Sequence, residues 1–362
     1  MKELTVLDLK DILLGCTLLG TGGGGDPAEG WHLIERAVNS GKKFVLAGLD
    51  ELPEDGIVAV PYFVGSLGGK KLDSVYKEGE VVRSYKLLED YMGKQFYGVL
   101  STELGGANTA VALMTAAMMG YPIVDGDPAG RSVPELQHTT YYIKGIGMCP
   151  FSVVTPFGDE MVVPTVSSDF MAERIVRAVV WGCGTNVGVT SHPVSGDRLK
   201  EAVIGGAITD ALNLGRVIRE HAGTIKGVVE ALVGEGGWYL LFEGVCIDAL
   251  YEEREGFTVG HFVLQGEGDF TGHRYKVYLK NENMYSEKDG RIDVTVPDLI
   301  SVVDEEGMPV TNPNVLVGKR YAVVGLPAPS VWRTQGGLNI FGPKYLGLDV
   351  DYVPIEESRG GV

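Results

Sequence analysis

The segment FYGVLSTELGGANTAVALMTAAMMGYPIVD, residues 96–125, determines the fold predicted for the first half of the chain. Residues 96–103 have the composition of a strand, residues 109–120 that of an apolar helix closed by a glycine, and residues 121–125 that of another strand. This order requires a right-handed crossover between two parallel strands. The segment therefore predicts an α/β domain with a parallel or mixed sheet. The helix is apolar on nearly every side, which favours burial on several sides or a subunit contact in a homo-oligomer.

Elements that fit the same domain precede this segment. A helix start is marked by Asp26 as N-cap, with Pro27 in the first helical position. The predicted elements are a helix over 5–19, the helix from Pro27 to about residue 39, strands over 44–49 and 56–65, and a Gly-rich turn over 66–71.

The composition and hydrophobic pattern of the sequence change near residue 165. Residues 167–237 read as a helical block, and residues 238–362 are β-rich, with turn signals about every ten residues. Such spacing is typical of a barrel-like or sandwich subdomain. We therefore predict an N-terminal α/β domain over 1–166 and a C-terminal domain over 167–362, in which the helical block connects to the β-rich part.

The composition excludes several classes of function. A formal net charge of −17 argues against binding to nucleic acids or anionic membranes, which require a basic surface. The longest apolar stretch, residues 109–124, is shorter than the roughly 20 residues of a membrane span. The four cysteines are widely spaced, which predicts free thiols in a reducing compartment. We therefore expect a cytoplasmic globular protein.

Acidic residues follow both strands of the predicted crossover. Ligands of open α/β sheets bind beyond the carboxyl ends of the strands. Glu103 ends one strand and Asp125 the other, and Asp127, Arg131 and Glu135 follow in the next loop. Carboxylates crowded in a dry cleft have pKa values that move apart, so that one serves as acid and one as base. The alternative is structural: the aspartates cap turns, and Arg131 neutralises Glu135.

A glycine run precedes the helix that starts at Pro27. The backbone N–H groups of Gly22, Gly23, Gly24 and Gly25 are suited to bind an anion or a polar ring. The run lacks the Lys-Ser/Thr of a P-loop and follows a helix, whereas a dinucleotide fold requires a strand. We therefore expect no nucleotide cofactor.

A second glycine loop follows Glu103. Gly105 and Gly106 allow close approach of a ligand to the backbone, and Asn108 offers both a donor and an acceptor. Amide-type rings such as hydantoins require that pairing. An N-cap role for Asn108 is the alternative.

Polar residues elsewhere give weaker signals. Asn281, Glu282 and Asn283 stand at a predicted strand end, where they either contribute to a cleft from the second domain or form a polar hairpin end. The six histidines include no HxH or HExxH spacing. His138 is among the best placed of them for a site.

The ordered motifs LGTGGGGDP, ELGGAN, VDGDPAGRSVPELQ, HPVSG, GFTVGHFVLQGEG, KNENM and GLNIFGPKYLG resemble the S-methyl-thiohydantoin desulfurase family. The resemblance extends from about residue 8 to 350, and genes of this family often accompany hydantoinase genes. It implies hydrolysis of the carbon–sulfur bond at C2 of an S-methylated thiohydantoin, which releases methanethiol and leaves a hydantoin. The chain departs from the usual family pattern around the acidic loop at Gly126, Pro128, Ala129, Ser132, Val133 and His138.

A reaction of this kind needs a base for water, a proton donor and groups that hold the ring. We expect Asp127 as the base, oriented by Asp125, with Glu135 as proton shuttle and Arg131 as a clamp. The glycine runs and Asn108 would hold the small heterocyclic substrate.

Other hypotheses remain at this stage. A divalent metal such as zinc is an alternative source of activated water; its candidate ligands are Asp125, Asp127, Glu103 and His138. The alternative in another functional class is a non-catalytic partner of hydantoinase-type subunits. A nucleotide-binding protein that uses GTGGGG is the weakest alternative.

Overall fold

The computed structural model describes residues 1–65, 74–235 and 237–359, so the predicted Gly-rich turn at 66–71 lies outside the described residues. The helices are α1 Val6–Leu19, α2 Pro27–Asn39, α3 Glu80–Met92, α4 Asn108–Met119, α5 Thr140–Ile143, α6 Asp169–Cys183, α7 Gly196–Ala202, α8 Ala207–His221, α9 Ile225–Glu235, α10 Gln335–Phe341 and α11 Ile355–Ser358. The strands are β1 Lys2–Glu3, β2 Val45–Ala47, β3 Ile57–Val64, β4 Gly98–Val99, β5 Ile123–Val124, β6 Gly126–Asp127, β7 Phe151–Val154, β8 Glu160–Val163, β9 Val187–Ser195, β10 Ile204–Gly205, β11 Tyr239–Arg254, β12 Phe257–Gly266, β13 Arg274–Lys280, β14 Glu282–Lys288, β15 Arg291–Thr295, β16 Leu299–Val303 and β17 Arg320–Leu326.

The first half of the chain, together with β9 from the second half, forms a mixed sheet in the order β1-β2-β5-β4-β3-β9-β7-β8. The predicted crossover is confirmed, because β4 and β5 are parallel neighbours with Val99 opposite Ile123. The first of these strands is shorter than predicted. After it the chain turns, and the Ser101 hydroxyl donates to the carbonyl oxygen of Glu103 at 2.7 Å. Glu103 therefore lies in a loop beyond the carboxyl end of the sheet.

Helix α4 is buried along most of its length, from Thr109 to Ala117, and packs against α2, α3 and β3. Its apolar sequence is thus explained by contacts within the chain. The N-cap predictions for α2 are also confirmed, because Asp26 accepts a hydrogen bond from the Ala28 N–H at 2.7 Å and Pro27 begins the helix.

The second half contributes four helices, α6 to α9, and then an antiparallel seven-stranded sheet in the order β15-β14-β13-β12-β11-β17-β16. This sheet curls into a half-barrel, which fits the barrel-like prediction broadly. The predicted helical block also contains β9, which pairs antiparallel with β3 in the first sheet. Its sequence VGVTSHPVS is rich in β-branched residues, which suit a strand.

The two halves are joined by close packing of α1 on α8. A Cβ atom added at Gly15 would lie 1.9 Å from the carbonyl oxygen of Ala211, and one added at Gly215 would lie 1.8 Å from that of Asp11. Arg219 of α8 donates to the buried carboxylate of Asp11 at 2.7 Å. Glycine is therefore required on both helices for this contact.

Two further expectations bear on the type of protein. No helix in the described ranges is long and apolar enough to cross a bilayer. The cysteines Cys16, Cys149, Cys183 and Cys246 are all free thiols, as predicted.

We predict that Gly215→Ala destabilises the protein by about 1–3 kcal/mol, because the added methyl group overlaps the α1 backbone. The measurement is the free energy of unfolding in urea. Gly182→Ala is the matched control: no atom lies within 4 Å of its added Cβ, so its effect should be neutral or stabilising by up to about 1 kcal/mol. Equal stability of the two variants would contradict the close helix contact.

Candidate active site

A cavity of about 590 Å³ lies between the two halves of the chain. Its wall is built from the loop Gly22–Gly25, from Glu103 and Asn108, from residues 133–136, and from the segments 281–282 and 311–314 of the second half. The volume is typical of small-molecule sites. The loops that the sequence singled out on either side of α4 therefore meet at one place.

The glycine loop owes its shape to contacts that leave no room for side chains. Gly22, Gly24 and Gly25 have φ values of 89°, 71° and 80°, a region that favours glycine. The Gly24 carbonyl accepts hydrogen bonds from the Ala107 and Asn108 N–H groups at 2.9 and 3.0 Å. The loop is thus fixed to the start of α4 while it faces the cavity.

Gly105 and Gly106 have a different role from the one expected. A Cβ atom at Gly105 would lie 2.4 Å from the Gly24 Cα, and one at Gly106 would lie 2.8 Å from the Gly25 carbonyl oxygen. Among the described residues neither belongs to the cavity wall. The absence of side chains at Gly105 and Gly106 allows the two loops to pack closely, and the glycine loop, not this pair, faces the cavity.

Glu103 is a buried carboxylate on the wall of the cavity. One carboxylate oxygen accepts from the Val133 N–H at 2.7 Å, and the other accepts from the side-chain amide of Asn108. Burial raises the pKa of Glu103 to about 7, although these hydrogen bonds oppose the shift. Asn108 is the first residue of α4 and not its N-cap, so its amide is directed at the carboxylate.

Glu282 brings a second carboxylate from the other half of the chain. Glu282 is 2% exposed. A Cβ atom added at Gly23 would lie only 2.0 Å from its Oε1. Its Oε2 has no hydrogen-bond partner among the described residues. Burial raises the pKa of Glu282 well above the usual range, and the charge of Glu103 raises it further.

Arg131 is fully buried and does not act as a ligand clamp. Its guanidinium donates to the carbonyls of Ser132, Pro297 and Asp298, to the Thr21 hydroxyl and to the Asn283 carbonyl, at 2.8–3.4 Å. These bonds use all five of its N–H donors. The expectation of a clamp is corrected, because no donor is left for a substrate carbonyl.

Asp125 and Asp127 do not line the cavity, contrary to the expected shared hollow. Asp125 accepts from the N–H groups of Ile208 and Thr209, both at 3.0 Å, and from the Thr209 hydroxyl at 2.6 Å, so it caps α8. The Oδ1 of Asp127 accepts from the N–H groups of Ala129 and Gly130. Burial raises the pKa of Asp127 to about 8. In the described structure neither residue lines the cavity.

Glu135 lies on the cavity wall but is held by partners across the domain contact. It forms an ion pair with Lys280 and accepts from the Tyr345 hydroxyl at 2.7 Å. Burial opposes ionisation, but these partners outweigh it and lower the pKa of Glu135 to about 2. A group that remains ionised at neutral pH is a poor proton shuttle. The alternative reading, in which Arg131 neutralises Glu135, is also corrected, because Lys280 provides the charge.

The metal candidates are not assembled into a site. His138 is buried against Phe341 and Tyr345, and burial lowers its pKa to about 4. Over residues 1–65, 74–235 and 237–359, no three His, Cys, Asp or Glu side chains are placed to hold a metal ion. The four candidate ligands thus form no such cluster within the described part of the chain, and no chemical step is assigned to a metal.

Glu282 and Asn312 also line the cavity, although the sequence pattern provides little signal for either of them. Asn312 donates through its amide to the Asn281 carbonyl at 2.8 Å and to Asn283 Oδ1 at 3.0 Å, and its N–H donates to the Gly22 carbonyl at 2.7 Å. The polar run 281–283 was the available signal for Glu282. Asn312 stands in an ordinary turn sequence that carries no such signal.

The chain belongs to the S-methyl-thiohydantoin desulfurase family. The model of the "S-Me-THD-like, N-terminal domain" matches residues 7–165, and that of the "S-Me-THD-like, C-terminal domain" matches residues 167–355. The chain is also similar to a crystallised protein from Chromobacterium violaceum, with 22% identity, a TM-score of 0.79, and coverage of 98% of this chain and 100% of that one. This likeness shows the fold alone. No curated protein matches.

We predict that Asp125→Ala destabilises the protein by about 1 kcal/mol, because α8 loses its N-terminal acceptor. Urea unfolding measures this loss. Ligand binding to the cavity should be unchanged, since Asp125 is not part of the wall. Unchanged stability together with lost binding would contradict this placement.

Proposed function

We propose that the protein is a hydrolase of a small heterocyclic amide-type ring, with an S-methyl-thiohydantoin or a hydantoin-like compound as substrate. Family membership supports a thiohydantoin-related role. The observation that carries the proposal is the cavity in which Glu103, Asn108 and Gly22–Gly25 surround one ligand-sized space. The protein would act as a cytoplasmic enzyme. A homo-oligomer also belongs to the proposal, although α4, buried within its own chain, lends it no support.

The reaction replaces the S-methyl group on C2 of the ring with a carbonyl oxygen. Water adds to C2 of the ring, the carbon–sulfur bond breaks, and the products are methanethiol and a hydantoin. The attacking water must lose a proton, and a buried carboxylate with a pKa near 7 is well matched to accept it at neutral pH. Glu103 meets this requirement on the cavity wall. In the proposal it replaces Asp127, which does not face the ligand.

The rest of the wall recognises the ring. The glycine loop brings backbone close to the ligand, and the Asn108 amide stands beside the base. The glycine-loop backbone and the Asn108 amide are together suited to hydrogen-bond with the N–H and C=O groups at the edges of a five-membered imide ring. A carboxylate held by an amide and a backbone N–H is also fixed in orientation, which favours attack from one direction.

We predict that Glu103→Gln lowers turnover of an S-methyl-thiohydantoin by about 100-fold or more, because glutamine cannot accept a proton. Methanethiol release measured with a thiol reagent reports the rate. Turnover by the unmodified protein should rise with pH through about 7, as the Glu103 carboxyl ionises. Glu201→Gln, on an exposed position of α7 outside the cavity wall, is the control and should keep full activity.

The outcomes separate the two classes of function. Full activity of Glu103→Gln would remove Glu103 as the base. A non-catalytic partner of a hydantoinase-type enzyme would show no turnover at any pH, even in the unmodified protein.

A further inference from the structure

We infer that Glu282, from the second half of the chain, is the general acid of this site and shares one proton with Glu103. The inference rests on the proposed function and extends it. It assigns protonation of the leaving sulfur to Glu282, which lies outside the acidic loop that follows Asp125. It follows from the position of Glu282, the lack of a hydrogen-bond partner for its Oε2 atom, and the balance of charge around both carboxyls.

The turn that carries Glu282 is fixed by the chain on both sides. Asn281 adopts a left-handed conformation, with φ 58°, and its N–H donates to the Thr258 carbonyl at 2.7 Å. The Asn283 N–H donates to the Thr21 carbonyl, also at 2.7 Å. Non-glycine residues with positive φ are uncommon and often mark functional positions. The Glu282 side chain is thereby placed in the cavity wall against Gly23.

A carboxyl oxygen without a partner is expensive to bury. Most buried polar atoms in proteins are hydrogen-bonded, so an exception at a cavity wall points to a missing ligand group. Glu282 Oε2 is such an exception within the described chain. In the proposed complex, the substrate sulfur or C2 oxygen supplies the missing partner.

The charges near the pair favour a single shared proton. Arg131 is the nearby cation that attracts both Glu103 and Glu282, with Lys280 a weaker influence on Glu282. Lys280 is already paired with Glu135. Arg131 also interacts with Asp298, which is itself paired with Arg333. One nearby positive charge therefore faces the two buried carboxyls of the cavity wall, and like charges in one dry site do not both ionise.

The shared proton provides both roles in one turnover. Ionised Glu103 takes a proton from the attacking water and passes it to the ring nitrogen as the C2 hydroxyl adduct forms. Protonated Glu282 gives its proton to sulfur as the carbon–sulfur bond breaks. It then takes the proton of the C2 hydroxyl as the carbonyl forms, so that both carboxyls return to their starting states.

The test compares two leaving groups. With the S-methyl substrate, Glu282→Gln should lose about 100-fold or more in turnover. An S-nitrophenyl analogue has a thiolate that leaves without a proton. With this substrate, turnover by Glu282→Gln should lie within about tenfold of turnover by the unmodified protein, whereas turnover by Glu103→Gln should remain low. Equal loss on both substrates, or no loss on either, would overturn the assignment of Glu282 as the acid.

A glycine variant tests the same carboxyl without removing it. Gly23→Ala places a methyl group where the Glu282 carboxyl lies, and should displace this flexible side chain. We expect the same dependence on the leaving group as for Glu282→Gln, with little change in melting temperature. Gly182→Ala is the control. Unchanged turnover of both substrates by Gly23→Ala would contradict the position of Glu282.

Carboxyl ¹³C NMR of the protein without substrate separates this inference from the proposed function. The pKa of Glu282 should fall in Glu103→Gln, because the negative charge of Glu103 is removed. An unchanged Glu282 titration overturns the shared proton. If the unmodified protein hydrolyses neither substrate while the titration does shift, the pair stands and the proposed function fails.

Discussion

The buried guanidinium of Arg131 is the interaction on which the site depends. It connects the acidic loop to Thr21, just before the glycine loop, and to the Asn283 and Asp298 regions of the second half. Removal of an ion from water costs several kcal/mol, and the structure offsets this cost with acceptors for all five donors. Burial lowers the pKa of Arg131 to about 10, so it remains a cation at neutral pH. Its charge then acts on the two carboxyls without a direct hydrogen bond to either.

The cavity exists because two halves of one chain are held at a fixed distance. Close packing of α1 on α8 sets that distance on one side, and the Glu135–Lys280 ion pair spans the halves on the other. Each half contributes one buried carboxyl, Glu103 and Glu282. Burial raises the pKa values of both carboxyls, and the nearby positive charge only partly offsets this effect. In the proposed mechanism, this is what allows the two glutamates to act as a base and an acid.

The sequence predicted the local features of the fold well. The crossover through α4 and the N-cap at Asp26 follow from short-range patterns, which depend on neighbours along the chain. The position of β9 was missed because it lies between helices and pairs with a strand more than a hundred residues earlier. That pairing is decided by tertiary contacts, which a local pattern does not contain.

The candidate site was predictable only in part. The glycine run, Glu103 and Asn108 were identified from residue types next to strand and helix ends. Asp125 and Arg131 were not distinguishable from ligand-binding residues, because a carboxylate that caps a distant helix has the same local sequence as one that faces a cleft. The direction of a side chain depends on partners far along the chain, as with Glu282.

The most direct test of the whole account is a crystal structure of the protein with a bound hydantoin. The ring should lie against Gly22–Gly25, with its polar edges in contact with both Glu103 and Glu282. A ring bound elsewhere, for example in the mostly apolar cavity of about 470 Å³ beside α8 and α9, would contradict it. So would a ring in the expected cavity whose polar atoms contact neither carboxyl.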